Sequence, residues 1–334
     1  VIAEIPLKGL SKFSVPLLTK ESSMQAIRFQ NKDMAWEIAA LILFPPDFEA
    51  TKTYPTIISV HPFGSCKEQT SSNVYGAGLA KEGFVVIAYD ASYQGESGGM
   101  PRFVEDPTQR VEDISHVIDY AVTLPYVDAE RIGCIGICGG GGYALNAALT
   151  EKRVKAVVGI TPVNIGRLFR EGFSNFNPLG ALTAMAAQRT KEACGGELQV
   201  NELLPASPEA AQANDLTERD VWEATDYYKT PRGQKPGGAT EMVFSHAQNT
   251  LAWDAFSFTE LLMTQPVMVV IGQKVGAFGA YRDGMEVYGR STASRERQLV
   301  ELQDWSHYDI YDQDEPVRLA LSQMVPFLKK HFAL

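Results

Sequence analysis

Gly136-Ile137-Cys138-Gly139-Gly140 sets a thiol among small residues, directly after the apolar run Arg131-Ile132-Gly133-Cys134-Ile135 and before the helix-like Tyr143-Ala144-Leu145-Asn146-Ala147-Ala148-Leu149. The order is strand, sharp turn, helix, with the cysteine at the turn, as in a nucleophile elbow. A thiol there meets unpaired backbone N–H groups and the positive end of the helix dipole, and both favour the reactive thiolate. Gly139 would present its N–H to an oxyanion, and Gly139 to Gly142 carry no Cβ to obstruct a substrate. The plain alternative is a tightly packed glycine-rich turn around an inert cysteine. No Lys-Ser/Thr closes the glycine run, which argues against a phosphate loop.

A thiol nucleophile needs a base. Of the five histidines, His307 is preferred because Asp304-Trp305-Ser306-His307-Tyr308 forms a short loop between the last strand-like run and the terminal helix. Such loops gather at the carboxyl ends of the strands of an open α/β sheet, where the elbow also lies. His61-Pro62-Phe63-Gly64 ends an earlier strand, and there the Phe63 N–H can supply a second oxyanion donor while Gly64 permits the turn. An orienting acid is expected just after the run Pro266 to Ile271, but Gly272-Gln273-Lys274-Val275-Gly276-Ala277-Phe278 contains none. Asp283 lies farther on, in the next helix, and Asp304 lies beside the histidine; these are the candidate acids. A thiolate–imidazolium pair works with less help than a serine, so the expected machinery is a Cys138–His307 dyad with its acid open.

The elements that would position these residues alternate. Trp36 to Phe44, Thr56 to Val60, Phe84 to Tyr89, the elbow strand and Val154 to Ile160 are short, β-branched-rich runs, the pattern of strands buried on both faces. Helical periodicity fills Tyr75 to Glu82 and Gln109 to Leu124. This predicts a mostly parallel sheet covered on both sides. Alternation breaks at Asn164 and resumes at Pro266 to Ile271 and Gln298 to Leu302, before a helix from Glu315 to His331. The expected organisation is a core of residues 1–163 and 259–334 with a largely helical cap insertion at 164–258. The insertion carries Phe169, Phe173, Phe176, Trp222, Tyr227, Tyr228 and Trp253, rings that suit a hydrophobic acyl chain or merely form the insertion's own small core.

The 334 residues carry 30 basic and 40 acidic side chains, a formal charge of −10, with no basic stripe to attract nucleic acid. No apolar run approaches the roughly 20 residues a membrane span needs. The four cysteines, at 66, 134, 138 and 194, have neither zinc spacing nor disulfide-scaffold density. A reactive thiol suits a reducing compartment, so the cytoplasm is expected, with no metal or organic cofactor and with homodimerisation open. The chain begins at Val1, which leaves processing of the N-terminus open.

The whole pattern resembles the α/β-hydrolase superfamily, and within it the dienelactone-hydrolase-like branch, whose elbow also carries cysteine. The likeness rests on His61-Pro62-Phe63-Gly64, Lys67-Glu68-Gln69, Asp90 to Gly99, Glu105 to Asp113, the elbow and Ser306-His307. The Lys-Glu-Gln and Tyr-Gln-Gly-Glu-Ser-Gly-Gly strings are similar to those of uncharacterised bacterial hydrolases and related fungal polyketide transferases. That resemblance implies cleavage of an ester, lactone or thioester, or transfer of an acyl chain, with Cys138, His307, Gly139 and Phe63 in the roles above. The chain departs from the pattern where the acid belongs, which favours thioester chemistry. It also keeps alive a rival from another class, a non-catalytic relative that binds a ligand.

Overall fold

The computed structural model describes residues 24–172 and 177–334. The N-terminal segment and two of the insertion's aromatics, Phe173 and Phe176, lie outside the described residues.

In chain order the first half comprises β1 (Met24–Phe29), β2 (Ile38–Leu43), β3 (Tyr54–Val60), a π-helical turn (Thr70–Gly76), α1 (Ala77–Lys81), β4 (Val85–Tyr89), α2 (Pro107–Ala121), β5 (Val127–Ile137), α3 (Gly139–Thr150) and β6 (Val154–Ile160). The segment between β6 and the next sheet strand holds α4 (Ile165–Glu171), α5 (Pro178–Ala193), β7 (Val200–Glu202), α6 (Pro208–Ala213), α7 (Arg219–Lys229), β8 (Glu241–Val243), α8 (Gln248–Ala252) and α9 (Thr259–Leu262). Then come β9 (Val267–Lys274), α10 (Ala280–Arg290), β10 (Arg297–Ser306), α11 (Asp309–Asp312) and α12 (Asp314–His331).

Eight strands form one sheet in the order β1-β2-β4-β3-β5-β6-β9-β10. β1 and β2 are antiparallel to their neighbours, and every pairing from β4 to β10 is parallel. This is the α/β-hydrolase fold. β5 sits near the middle, so the turn that follows it is flanked by the ends of β3 and β6. The central strands are apolar on both faces because helices cover both; Ile57, Ile58, Val86, Ile87, Ile135, Val157, Val158, Val269 and Val270 are all fully buried. Each such side chain contributes about 1.5–3 kcal/mol of burial free energy, and the turn after β5 stands on this buried core.

α2 starts before the expected Gln109, with Pro107 at its first position and the Asp106 carboxylate accepting from Thr108 N and Gln109 N. The acidic stretch Glu209 to Thr225 folds into two helices, α6 and α7, the second started by the Glu218 side chain capping Val221 N. Short β7 and β8 pair antiparallel within the insertion. The insertion lies over the carboxyl ends of the parallel strands: Thr240 N donates to Gly64 O, and the Tyr227 and Tyr228 rings pack against Tyr311. Among the described residues no helix is long and apolar enough to cross a membrane.

Candidate active site

Cys138 stands between β5 and α3 with φ 56° and ψ −124°, a left-handed backbone that L-residues rarely adopt. The turn is tight because its glycines let backbone approach backbone. A Cβ on Gly136 would collide with the Gly140 carbonyl, and one on Gly140 with the carbonyls of Val60 and His61. Cys138 N donates to Ile160 O at 3.0 Å, and Cys138 O accepts from Val163 N at 2.9 Å, so the neighbouring strand end pins the strained residue.

Three donors face the Cys138 sulfur: the Tyr311 hydroxyl and the backbone N–H groups of Gly139 and Phe63. The two N–H groups are those expected of an oxyanion hole. Gly64 takes φ +68°, which turns the chain after β3 and brings Phe63 over the elbow. Beneath it, His61 is a structural residue. Its Nε2 accepts from Ala91 N at 3.0 Å, its carbonyl accepts from Arg110 Nη2 at 2.7 Å, and burial with Arg110 nearby holds it neutral.

His307 is brought to the same place by the loop after β10. Its Nδ1 lies 2.7 Å from Thr161 Oγ1 and its Nε2 lies 3.4 Å from the Tyr311 hydroxyl. Tyr311 therefore stands between the thiol and the imidazole. It follows His307 by four residues, on the one-turn helix α11, and belongs to a buried cluster of rings with Tyr308 and Tyr228. Sequence reasoning missed it; the signal available was the i, i+4 spacing from the histidine within a short turn.

Neither acid suggested by the sequence is a hydrogen-bond partner of His307. The Asp283 carboxylate is engaged by Arg167 Nε at 2.6 Å, Arg167 Nη2 at 2.8 Å and Asn164 N at 2.8 Å, which ties α10 to the start of the insertion. Asp304 is exposed, with φ 60° in the irregular final stretch of β10. A neutral threonine hydroxyl from the end of β6 takes the position at Nδ1 instead.

The electrostatics of Cys138 differ from the sequence expectation. The helix N-terminus does favour the thiolate, but burial outweighs it: Cys138 is 7% exposed, and desolvation pushes its pKa up from 9.0 to about 11 against the help of Tyr311, Gly139 N–H and Phe63 N–H. Burial likewise pushes His307 down to about 3. At neutral pH the resting pair is a thiol and a neutral imidazole, not an ion pair.

Cys66, Glu68 and Asp90 also converge, with ligand atoms within 4.8 Å of one another. The Lys67 ammonium already occupies that ground, 2.8 Å from Asp90, 2.5 Å from Glu68 and 2.6 Å from Glu96. The Lys-Glu-Gln string is thus a structural ion cluster: Gln69 Oε1 accepts from Ser65 Oγ, and Gln69 Nε2 reaches the insertion at Gly233 O.

The model of the X-Pro dipeptidyl-peptidase (S15) family matches residues 35–309. The uncharacterized protein YcjY of Escherichia coli (strain K12) is 40% identical over 297 residues, 88% of this chain and 94% of that protein. The crystal structure of hypothetical protein PA2218 from Pseudomonas aeruginosa superposes with a TM-score of 0.81 at 28% identity, covering 94% of this chain and 95% of that one. The thiohydrolase aneE of Aspergillus aculeatus is 32% identical over 120 residues, 35% of this chain and 36% of its own length. With its parallel sheet, elbow and converging loops, the chain belongs to the X-Pro dipeptidyl-peptidase (S15) family of the α/β-hydrolase superfamily.

Proposed function

We propose that this protein is a cofactor-independent acyl hydrolase that cleaves an ester or, better, a thioester through Cys138 and His307. The observation that carries the proposal is the convergence on one sulfur of two backbone N–H groups and a tyrosine hydroxyl in contact with a histidine. The family's hydrolase fold and the relative named a thiohydrolase support the same reading.

With its proton on Nδ1, donated to Thr161, His307 turns the Nε2 lone pair toward Tyr311 and the thiol. The substrate carbonyl enters with its oxygen toward Phe63 N–H and Gly139 N–H. As Sγ attacks, the thiol proton passes to Nε2, with the Tyr311 hydroxyl between them. The S–C bond forms and the carbonyl electrons move to oxygen, where the two N–H groups hold the charge; losing one such donor typically costs a hundredfold or more in rate. Collapse breaks the bond to the leaving thiol or alcohol, which takes the proton from the imidazolium. Water then attacks the acyl-enzyme by the same route, releasing a carboxylic acid and restoring the thiol. A neutral resting pair suits a thioester, whose leaving group departs readily.

The rings of Phe63 and Phe169, 5.9 Å apart, and of Phe278, 6.2 Å from His307, favour a hydrophobic acyl chain. They also limit water at the thiol, and that burial favours a second reading in which an acceptor other than water takes the acyl group.

The test is intact-mass spectrometry after brief incubation with p-nitrophenyl esters and acyl thioesters of N-acetylcysteamine, on the wild type, Cys138→Ala and His307→Ala. One acyl adduct on the wild type, absent from both variants, is expected. Turnover that survives Cys138→Ala would overturn the reading, and no adduct or turnover with any probe would leave a ligand-binding protein as the better account.

A further inference from the structure

The fold expects an acid after the seventh strand of its core, here β9, and residues 275–279 supply none: Val275, Gly276, Ala277, Phe278 and Gly279. The loop is held instead by side chains from the start of α7, in the insertion. Ala277 N donates to Glu218 Oε1 at 2.9 Å, Phe278 N donates to Asp220 Oδ2 at 2.6 Å, and Arg219 Nη1 donates to Val275 O at 3.2 Å. Glu218 and Arg219 suffice to fasten the two segments. Asp220 does something more costly: it is 1% exposed, and its Oδ1 is buried with no hydrogen-bond partner. Gly276 accommodates it, since a Cβ at that position would collide with the Asp220 carboxylate. The carboxylate thus stands against the backbone where the fold usually carries its own acid. Its charge reaches Cys138 and Tyr308, favouring the protonated form of each, and the residue whose N–H it accepts, Phe278, packs edge-on against the His307 ring.

We propose that Asp220 is the positioning carboxylate of this site, delivered by the insertion rather than by the strand loop, whose charge stabilises the imidazolium while His307 holds the proton taken from Cys138. The inference rests on the Cys138–His307 reading. Thr161 orients the ring but carries no charge, and a buried imidazolium without a counter-charge is costly. Burial raises Asp220 to about 7, with Glu218 and Glu223 on its own helix adding to the rise and Arg219 opposing it. The Asp220 charge also reaches Cys138 at the elbow and Tyr308 on the loop after β10; residues 275–279 carry no titratable side chain. The carboxylate is ionised above pH 7 and neutral below, so kcat/KM climbs with pH through a limb near 7.

The experiment is the pH profile of kcat/KM for p-nitrophenyl butyrate from pH 5 to 9, on the wild type, Asp220→Asn and Cys138→Ala, with thermal unfolding of each. Asp220→Asn keeps an acceptor for Phe278 N. The expected result is native unfolding behaviour, KM within about twofold, kcat lowered ten- to a hundredfold and the limb near pH 7 abolished. An unchanged kcat and an unchanged limb in Asp220→Asn, with Cys138→Ala inactive, would make Asp220 a mere fastening and overturn the inference alone. A wild-type profile with no limb between pH 6 and 8 would overturn it whatever the variant does. Turnover in Cys138→Ala would remove the dyad reading and the inference with it.

Discussion

The resting thiol should be poorly reactive toward simple alkylating agents, the opposite of what its place at a helix N-terminus suggests. At pH 7 a thiol with a pKa of 9.0 is about 1% thiolate, whereas one pushed up to about 11 is about 0.01% thiolate, a hundredfold less nucleophile. The perturbation is brief iodoacetamide treatment at a series of pH values, read by peptide mass spectrometry. Cys194 is the internal comparator because it is exposed, whereas Cys138, Cys66 and Cys134 are buried. At pH 7 Cys138 should be labelled at least a hundredfold more slowly than Cys194, and its rate should climb tenfold per pH unit up to about 10. Under the proposed mechanism an acyl substrate still acylates it, because attack at its carbonyl builds an oxyanion for the N–H groups of Phe63 and Gly139 to hold, whereas displacement of iodide from iodoacetamide builds none. Selective labelling of Cys138 at pH 6, or a plateau in its rate below pH 8, would refute the argument that desolvation outweighs the helix terminus.

Two further outcomes concern the frame. Gly140→Ala forces a methyl group against the Val60 and His61 carbonyls, where neither strand end can yield, and should cost at least 1–3 kcal/mol in urea unfolding, by the usual penalty of overpacking. Arg167→Met leaves the fully buried Asp283 carboxylate with only the Asn164 N–H, and should cost about 3–5 kcal/mol, part of which the double variant with Asp283→Asn restores.

The core was legible because its signals are local. β6 runs over the residues the apolar run marks, Val154 to Ile160, and β5, the turn and α3 follow from small residues between a strand pattern and a helix pattern. β1 was not legible: Met24–Phe29 is an edge strand with alternating exposure and one buried residue, Phe29, so it lacks the continuous apolar run that marks its neighbours. The acid was sought near the histidine and after β9, where local position is informative. Asp283 proved to be committed to Arg167, and Asp220 comes from a helix of the insertion that no local pattern relates to His307. The thiol's titration was misjudged because the helix terminus can be read from sequence whereas the depth of burial depends on what the insertion and α11 bring over the turn.

The neutrality of Cys138 has a consequence for how long the protein lasts. Peroxides attack thiolates, and the first product, a sulfenic acid, leads on to sulfinic and sulfonic acids that do not revert. A nucleophile that is a buried thiol in the unliganded state is withheld from that sequence. Under the proposed mechanism its vulnerable form exists only while a carbonyl is bound to consume it. The same burial that slows the resting thiol should therefore also slow its oxidation relative to a standing thiolate.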